Sequence, residues 1–99
     1  MHLLRSPAIA AALVRSADVG SGDLVLDLGA GTGAITRPLA ATGARVLAIE
    51  RDADFVARLS AELSRRNVRV VRADLRTVPL PRREYTVVAS IPYSISTPL

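Results

Sequence analysis

The chain has 99 residues, room for one domain and not two, and a chain of that size buries roughly 60–65% of the surface it exposes when unfolded. Hydrophobic residues make up 49%, which excludes a disordered tail, and no apolar run reaches the ~18 residues of a membrane span. With no Cys and one His, His2, the chain can build no disulfide, thiolate metal site, thiol nucleophile or imidazole-centred triad, and the absence of Cys agrees with a reducing cytoplasm.

The elements follow in chain order. MHLLRSPAIAAALV is faintly signal-like, but it holds a Ser-Pro pair and no clean small-residue cleavage site, so it reads as a helix rather than a secretory signal. Ser6-Pro7 opens that helix as N-cap and first-turn proline, and Ile9, Leu13, Val14 and Ala17 form its apolar face. Gly20-Ser21-Gly22-Asp23 breaks it. Leu24–Leu28 is a short apolar strand that ends in glycines. A helix follows from about Gly33 to Thr42; Pro38 fits it best if the regular part begins near Thr36, and Gly43 suits the position after its end. Arg45–Glu50 is the second strand. Asp52 caps a third helix, in which Phe55, Val56, Leu59 and Leu63 recur at helical spacing. Val68–Ala73 is the third strand, Pro79 and Pro81 mark a loop, and Tyr85–Ile91 is the fourth strand. Alternating strands and helices predict βαβ units in a parallel sheet of order 3-2-1-4. Its near-continuous apolar strands suggest cover on both faces, with ligand sites at the strand carboxyl ends.

The unusual residues fall at those ends. Asp27-Leu28-Gly29-Ala30-Gly31-Thr32-Gly33 follows the first strand and opens a helix; glycines there allow a tight turn and let backbone N–H groups approach a ligand. Glu50 closes the second strand about twenty residues on, where a carboxylate can accept both hydroxyls of a ribose. Together they point to an adenosine-containing cofactor. Gly29, Gly31 and Ala34 also satisfy the dinucleotide pattern, so a nicotinamide-dependent oxidoreductase is a rival. A carboxylate at Asp27 suits the ammonium of an amino-acid moiety and would repel a pyrophosphate, which favours S-adenosylmethionine over NAD. Asp74, after the third strand, can accept a hydrogen bond from an adenine amino group.

Ser90-Ile91-Pro92-Tyr93 follows the fourth strand. An acceptor on Ser90 and the Ile91 carbonyl suit the two hydrogens of an exocyclic amine, and Tyr93 offers a face for an extruded base. Seven arginines between Arg65 and Arg83 surround a single acid, Asp74. Such a basic segment suits phosphate-rich partners; the alternative is a solvated arginine-rich surface.

DLGAGTGAITRPLA, AIERD, ADL and SIPYSISTPL, in this order and spacing, resemble the rRNA adenine N6-methyltransferases, over nearly the whole chain. HLLRSP near the start and RPLA later resemble the erythromycin-resistance branch. The resemblance implies the N-terminal part of a Rossmann-like S-adenosylmethionine-dependent methyltransferase fold, with one incomplete domain over residues 1–99 and the later strands and helical C-terminal domain absent. It implies that Leu4 helps cover the cofactor and that Gly29 and Gly31 floor its methionine part. Glu50 would bind the ribose and Asp74 the adenine amino group, while Ser90 and Tyr93 would hold the target adenine. His2 and Ser90 depart from the family, which usually has Asn at both places. The expected activity is methylation of adenine N6 in ribosomal RNA, without a metal or a membrane; an inactive remnant or an RNA-binding module is the non-enzymatic alternative.

Overall fold

The structure, a computed structural model, describes residues 7–63, 67–74 and 76–89. Helix α1 (Pro7–Ala17) precedes strand β1 (Leu24–Leu28), followed by α2 (Thr36–Ala41), β2 (Arg45–Glu50), α3 (Ala53–Glu62), β3 (Val68–Arg72) and β4 (Thr86–Ala89). The four strands form one parallel sheet in the order β3-β2-β1-β4. This is the architecture read from the sequence, with α2 starting at Thr36 as Pro38 requires. Asp52 caps α3: its Oδ1 accepts the N–H groups of Asp54 at 2.8 Å and Phe55 at 3.2 Å. Gly43 follows α2 at φ +90°, a left-handed conformation that suits glycine.

Side chains alternate across a strand, so the core contacts show which face the helices cover. Val25, Val46 and Val88 pack with Ala10 of α1 and Leu39 and Ala40 of α2; Ala48 and Val70 pack with Leu59 and Leu63 at α3. All of these strand residues lie on one face, so the three helices share that face. Among the described residues the helices lie on that face alone. On the opposite face Leu26 and Ile49 are each 1% exposed, Leu24 and Leu47 are half-buried, and Val87 is 50% exposed.

The apolar face of α1 also differs from expectation. Ile9 and Leu13 are each 36% exposed, whereas Ala10 is buried and Val14 and Ala17 pack against the core. Residues 10, 14 and 17 share one helical stripe, and the small Ala10 lets α1 come close to α2. The larger side chains flank that contact instead of filling it.

Candidate functional site

In a parallel sheet every strand ends at the same edge, so β1, β2 and β3 deliver their last residues together. The chain leaving β1 turns through Gly29 (φ +70°), Gly31 (φ +53°) and Gly33 (φ +86°). That loop is tied to β2. The N–H groups of Gly29 and Ala30 both donate to the Ile49 carbonyl, at 2.8 and 3.2 Å. One residue on, the Gly31 N–H donates to Glu50 Oε1 at 2.9 Å, while Glu50 Oε2 accepts the Asp52 N–H at 2.9 Å. The Glu50 carbonyl accepts the Ala73 N–H at 3.0 Å, which sets Asp74 beside it. Gly29, Gly31, Glu50 and Asp74 therefore share one edge through a continuous chain of hydrogen bonds.

Each oxygen of a carboxylate accepts about two hydrogen bonds, so Glu50 keeps acceptor capacity while it holds two amides. The residues fit a ribose on Glu50 and a thin, polar group over the glycines, where no Cβ intrudes. The edge also holds features that motif reading missed. The Arg76 guanidinium pairs with Asp74, Nη2 to Oδ2 at 2.8 Å and Nε to Oδ1 at 3.1 Å, and the Arg76 backbone N–H adds a bond of 2.9 Å to Oδ1. These bonds hold the Asp74 carboxyl well below the usual carboxylate range. The spacing Asp-x-Arg is the signal that could have found the pair.

Arg37 was missed as well. Its Nη1 donates to the Thr32 carbonyl at 2.7 Å and its Nη2 to Glu62 at the end of α3, so it straps the glycine loop to that helix. Gly33 sits beneath the strap. A Cβ there would lie 2.7 Å from Leu59 Cδ2 and 2.8 Å from Arg37 Nη1.

Asp27 does not join the edge. It is fully buried on the helix-covered face and accepts a hydrogen bond from the Thr36 hydroxyl. The assignment of Asp27 to a ligand ammonium is corrected: this carboxylate anchors the start of α2 beneath the loop. Leu4, Ser90 and Tyr93 lie outside the described residues, as do His2, Arg65 and Arg66. Ala89, the last residue of β4, stands in register with Leu28, so β4 runs towards the same edge as β1.

The arginine segment is not one patch. Arg72, whose Nε donates to the Arg51 carbonyl at 3.2 Å, and Arg76 lie at the carboxyl edge. Arg69, near the start of β3, and Arg82 and Arg83, before β4, lie at the amino edge. Among the described residues, no cluster of acidic residues or His is placed to hold a metal, and no helix is long and apolar enough to cross a membrane.

The fold and this edge have relatives. A ribosomal RNA small subunit methyltransferase A of Thermosynechococcus vestitus is 40% identical over 99% of this chain and 37% of its own length. An rRNA adenine N-6-methyltransferase of Bacillus licheniformis is 35% identical over 99% of this chain and 34% of its own. The crystal structure of the 23S rRNA methyltransferase ErmE superimposes with a TM-score of 0.84 at 33% identity, over 92% of this chain and 38% of that one. The structure of coclaurine N-methyltransferase bound to N-methylheliamine and SAH has a TM-score of 0.71 at 26% identity, over 83% of this chain and 26% of that one. The chain thus spans about a third of the length of the curated relatives it matches. The family described as ribosomal RNA adenine dimethylase matches residues 1–99, and with the sheet order, the glycine loop and the acidic strand ends in agreement, the chain belongs to that family.

Proposed function

We propose that this chain forms the cofactor-binding part of an S-adenosylmethionine-dependent methyltransferase acting on adenine N6 in ribosomal RNA in the cytoplasm. The observation that carries the reading is the Gly31–Glu50 hydrogen bond with Asp74 set beside it by the Glu50 carbonyl. It joins a close-approach loop to two carboxylates at the ends of neighbouring strands, which supports a ribose on one and a purine amine on the other. Family membership and the SAH held by coclaurine N-methyltransferase support S-adenosylmethionine over NAD.

The cofactor supplies a methyl group on an electrophilic sulfonium, so the protein's work is alignment and exclusion of water. The backbone of Gly29 and Gly31 forms the floor. Glu50 accepts the ribose hydroxyls and Asp74 the adenine amino group, with Arg76 keeping Asp74 ionised. Leu4 helps cover the cofactor. Ser90 and the Ile91 carbonyl accept the hydrogens of the target N6, which frees its lone pair, and Tyr93 stacks against the extruded base. No general base is needed before alkylation, in keeping with the absence of any His but His2.

Within the family, the erythromycin-resistance type is the finer reading, supported by HLLRSP and RPLA and by the likeness to ErmE. Calorimetry with S-adenosylmethionine and with NAD tests the cofactor. Methyl incorporation into unmodified large- and small-subunit rRNA tests the rest. Binding of NAD alone would overturn the cofactor reading, and methylation confined to the small subunit would overturn the branch.

A further inference from the structure

The amino edge of the sheet, opposite the glycine loop, carries charge that the proposed reaction does not use. Arg45 opens β2, Arg69 stands one residue into β3 and Arg83 precedes β4. Leu47 is in register with Arg69, so Arg45 and Arg69 project from the same face of the sheet as diagonal neighbours. Arg45 and Arg83 line a cleft of about 520 Å³ with Ser21, Gly22, Gly43 and Asn67, and no acidic residue lines it. Arg83 Nη2 donates to the Gly22 carbonyl at 3.0 Å, which fixes one wall. Asn67 Nδ2 donates to the Ala40 and Ala44 carbonyls at 2.8 and 3.0 Å, which fixes another.

The acids closest in sequence are Asp23, whose Oδ2 accepts the Gly20 N–H at 2.8 Å, and Glu84. Neither forms an ion pair; among the described residues only Arg37 and Arg76 do. Arg45, Arg69, Arg82 and Arg83 thus outnumber the two acids at this edge. Arg83 also borders Asp23 and Glu84 on its other side, so the edge keeps an excess of two positive charges, which a multivalent anion relieves.

The geometry points to a phosphate-binding cleft at the amino edge, taking the backbone of the RNA whose target adenine is presented at the carboxyl edge. This rests on the rRNA reading above. The edges are separated by a strand of five residues, about 17 Å at ~3.3 Å per residue. A phosphate backbone running on from an extruded adenine has this distance to cover to reach the cleft. Such contacts position the RNA without reading its sequence.

The test is the salt dependence of binding by the full chain to a fluorescently labelled rRNA stem-loop containing an unpaired adenine. Each phosphate contact contributes about 0.7–0.9 to the slope of log affinity against log salt. R45Q/R83Q is expected to reduce the slope by about 1.5 and to weaken binding at least tenfold near 0.15 M salt, while S-adenosylmethionine binding stays unchanged. Arg58→Gln, on the exposed side of α3, is expected to change neither quantity. Arg45→Gln alone makes the same test without disturbing the Arg83–Gly22 bond and is expected to remove about half of the slope change. RNA binding with an unaltered slope in both variants overturns the cleft and leaves the methyltransferase reading standing. Absence of RNA binding by the unmutated chain, with S-adenosylmethionine bound normally, overturns both the cleft and the RNA substrate. Arginine-dependent binding to phosphatidylserine vesicles but not to RNA overturns the cleft in favour of a membrane surface.

Discussion

Gly31 and Glu50 are nineteen residues apart and joined by a hydrogen bond of 2.9 Å from the glycine amide to the glutamate side chain. The bond makes Glu50 a support of the loop, beside the ribose-binding role proposed for it. Glu50→Gln keeps one carbonyl oxygen and loses the charge. It is expected to weaken S-adenosylmethionine binding about tenfold to a hundredfold, or ~1.4–3 kcal/mol, with a small change in Tm. Titration calorimetry and thermal melting measure the two effects. Affinity unchanged within twofold would show that no ribose rests on this carboxylate.

Gly33 and Gly22 both adopt positive φ, +86° and +94°, but differ in surroundings. A Cβ on Gly22 meets nothing within 4 Å, whereas one on Gly33 runs into Leu59 and Arg37. Gly22→Ala is expected to cost about 1 kcal/mol, the strain of a left-handed backbone alone. Gly33→Ala adds overpacking and is expected to cost about 2–4 kcal/mol. Urea denaturation of the two variants side by side measures the difference, and equal costs would refute it.

The buried Asp27 carboxylate takes the Thr36 hydroxyl, and Thr36 is itself fully buried. Thr36→Val keeps the volume and removes the donor, so it is expected to destabilise the fold by about 1–3 kcal/mol. Thr36→Ser restores the hydroxyl and is expected to recover most of that loss. A serine variant as unstable as the valine one would assign the effect to packing.

Asp74 is held below its ordinary value of 3.8 by Arg76. A carboxyl lowered on folding contributes stability above its unfolded value and loses it as pH falls through the lower folded one. Carbon-detected NMR titration is therefore expected to show Asp74 still ionised at pH 3.8. In Arg76→Gln its midpoint is expected to move back up towards that value. An unshifted midpoint in the variant would mean that the ion pair does not form in solution.

In the proposed target site Ser90 replaces the usual Asn, with its acceptor on a shorter arm. Ser90→Asn is expected to raise the rate of methyl incorporation into rRNA severalfold, with S-adenosylmethionine affinity unchanged. A rate that stays level or falls would remove Ser90 from the target site.

Much of the architecture could be read before any coordinates, because short local patterns dominate it. Pro38 set the start of α2, Asp52 the start of α3, and the glycines after Leu28 the turn at the carboxyl edge. What could not be read depends on residues distant in sequence or on small side chains. Arg37 reaches Glu62 twenty-five positions away, and no motif announces the pair. Ala10 carries too little apolar surface to mark a helix face, yet its size is why α1 packs there. Asp27 resembles a ligand carboxylate because it ends beside the glycines. Strand alternation turns it to the helix side, where Thr36 waits one turn below the loop.

The paired bonds from Gly29 and Ala30 to the Ile49 carbonyl bear on dynamics. A glycine-rich turn ordinarily exchanges its amide hydrogens with solvent within moments, because local opening costs little. Here the first amides after β1 are bonded to the end of β2, so opening them means separating the two central strands of the sheet. The first two amides of the turn are therefore expected to exchange more slowly than those of an unbonded glycine loop, and the turn to meet an incoming ligand already set in shape.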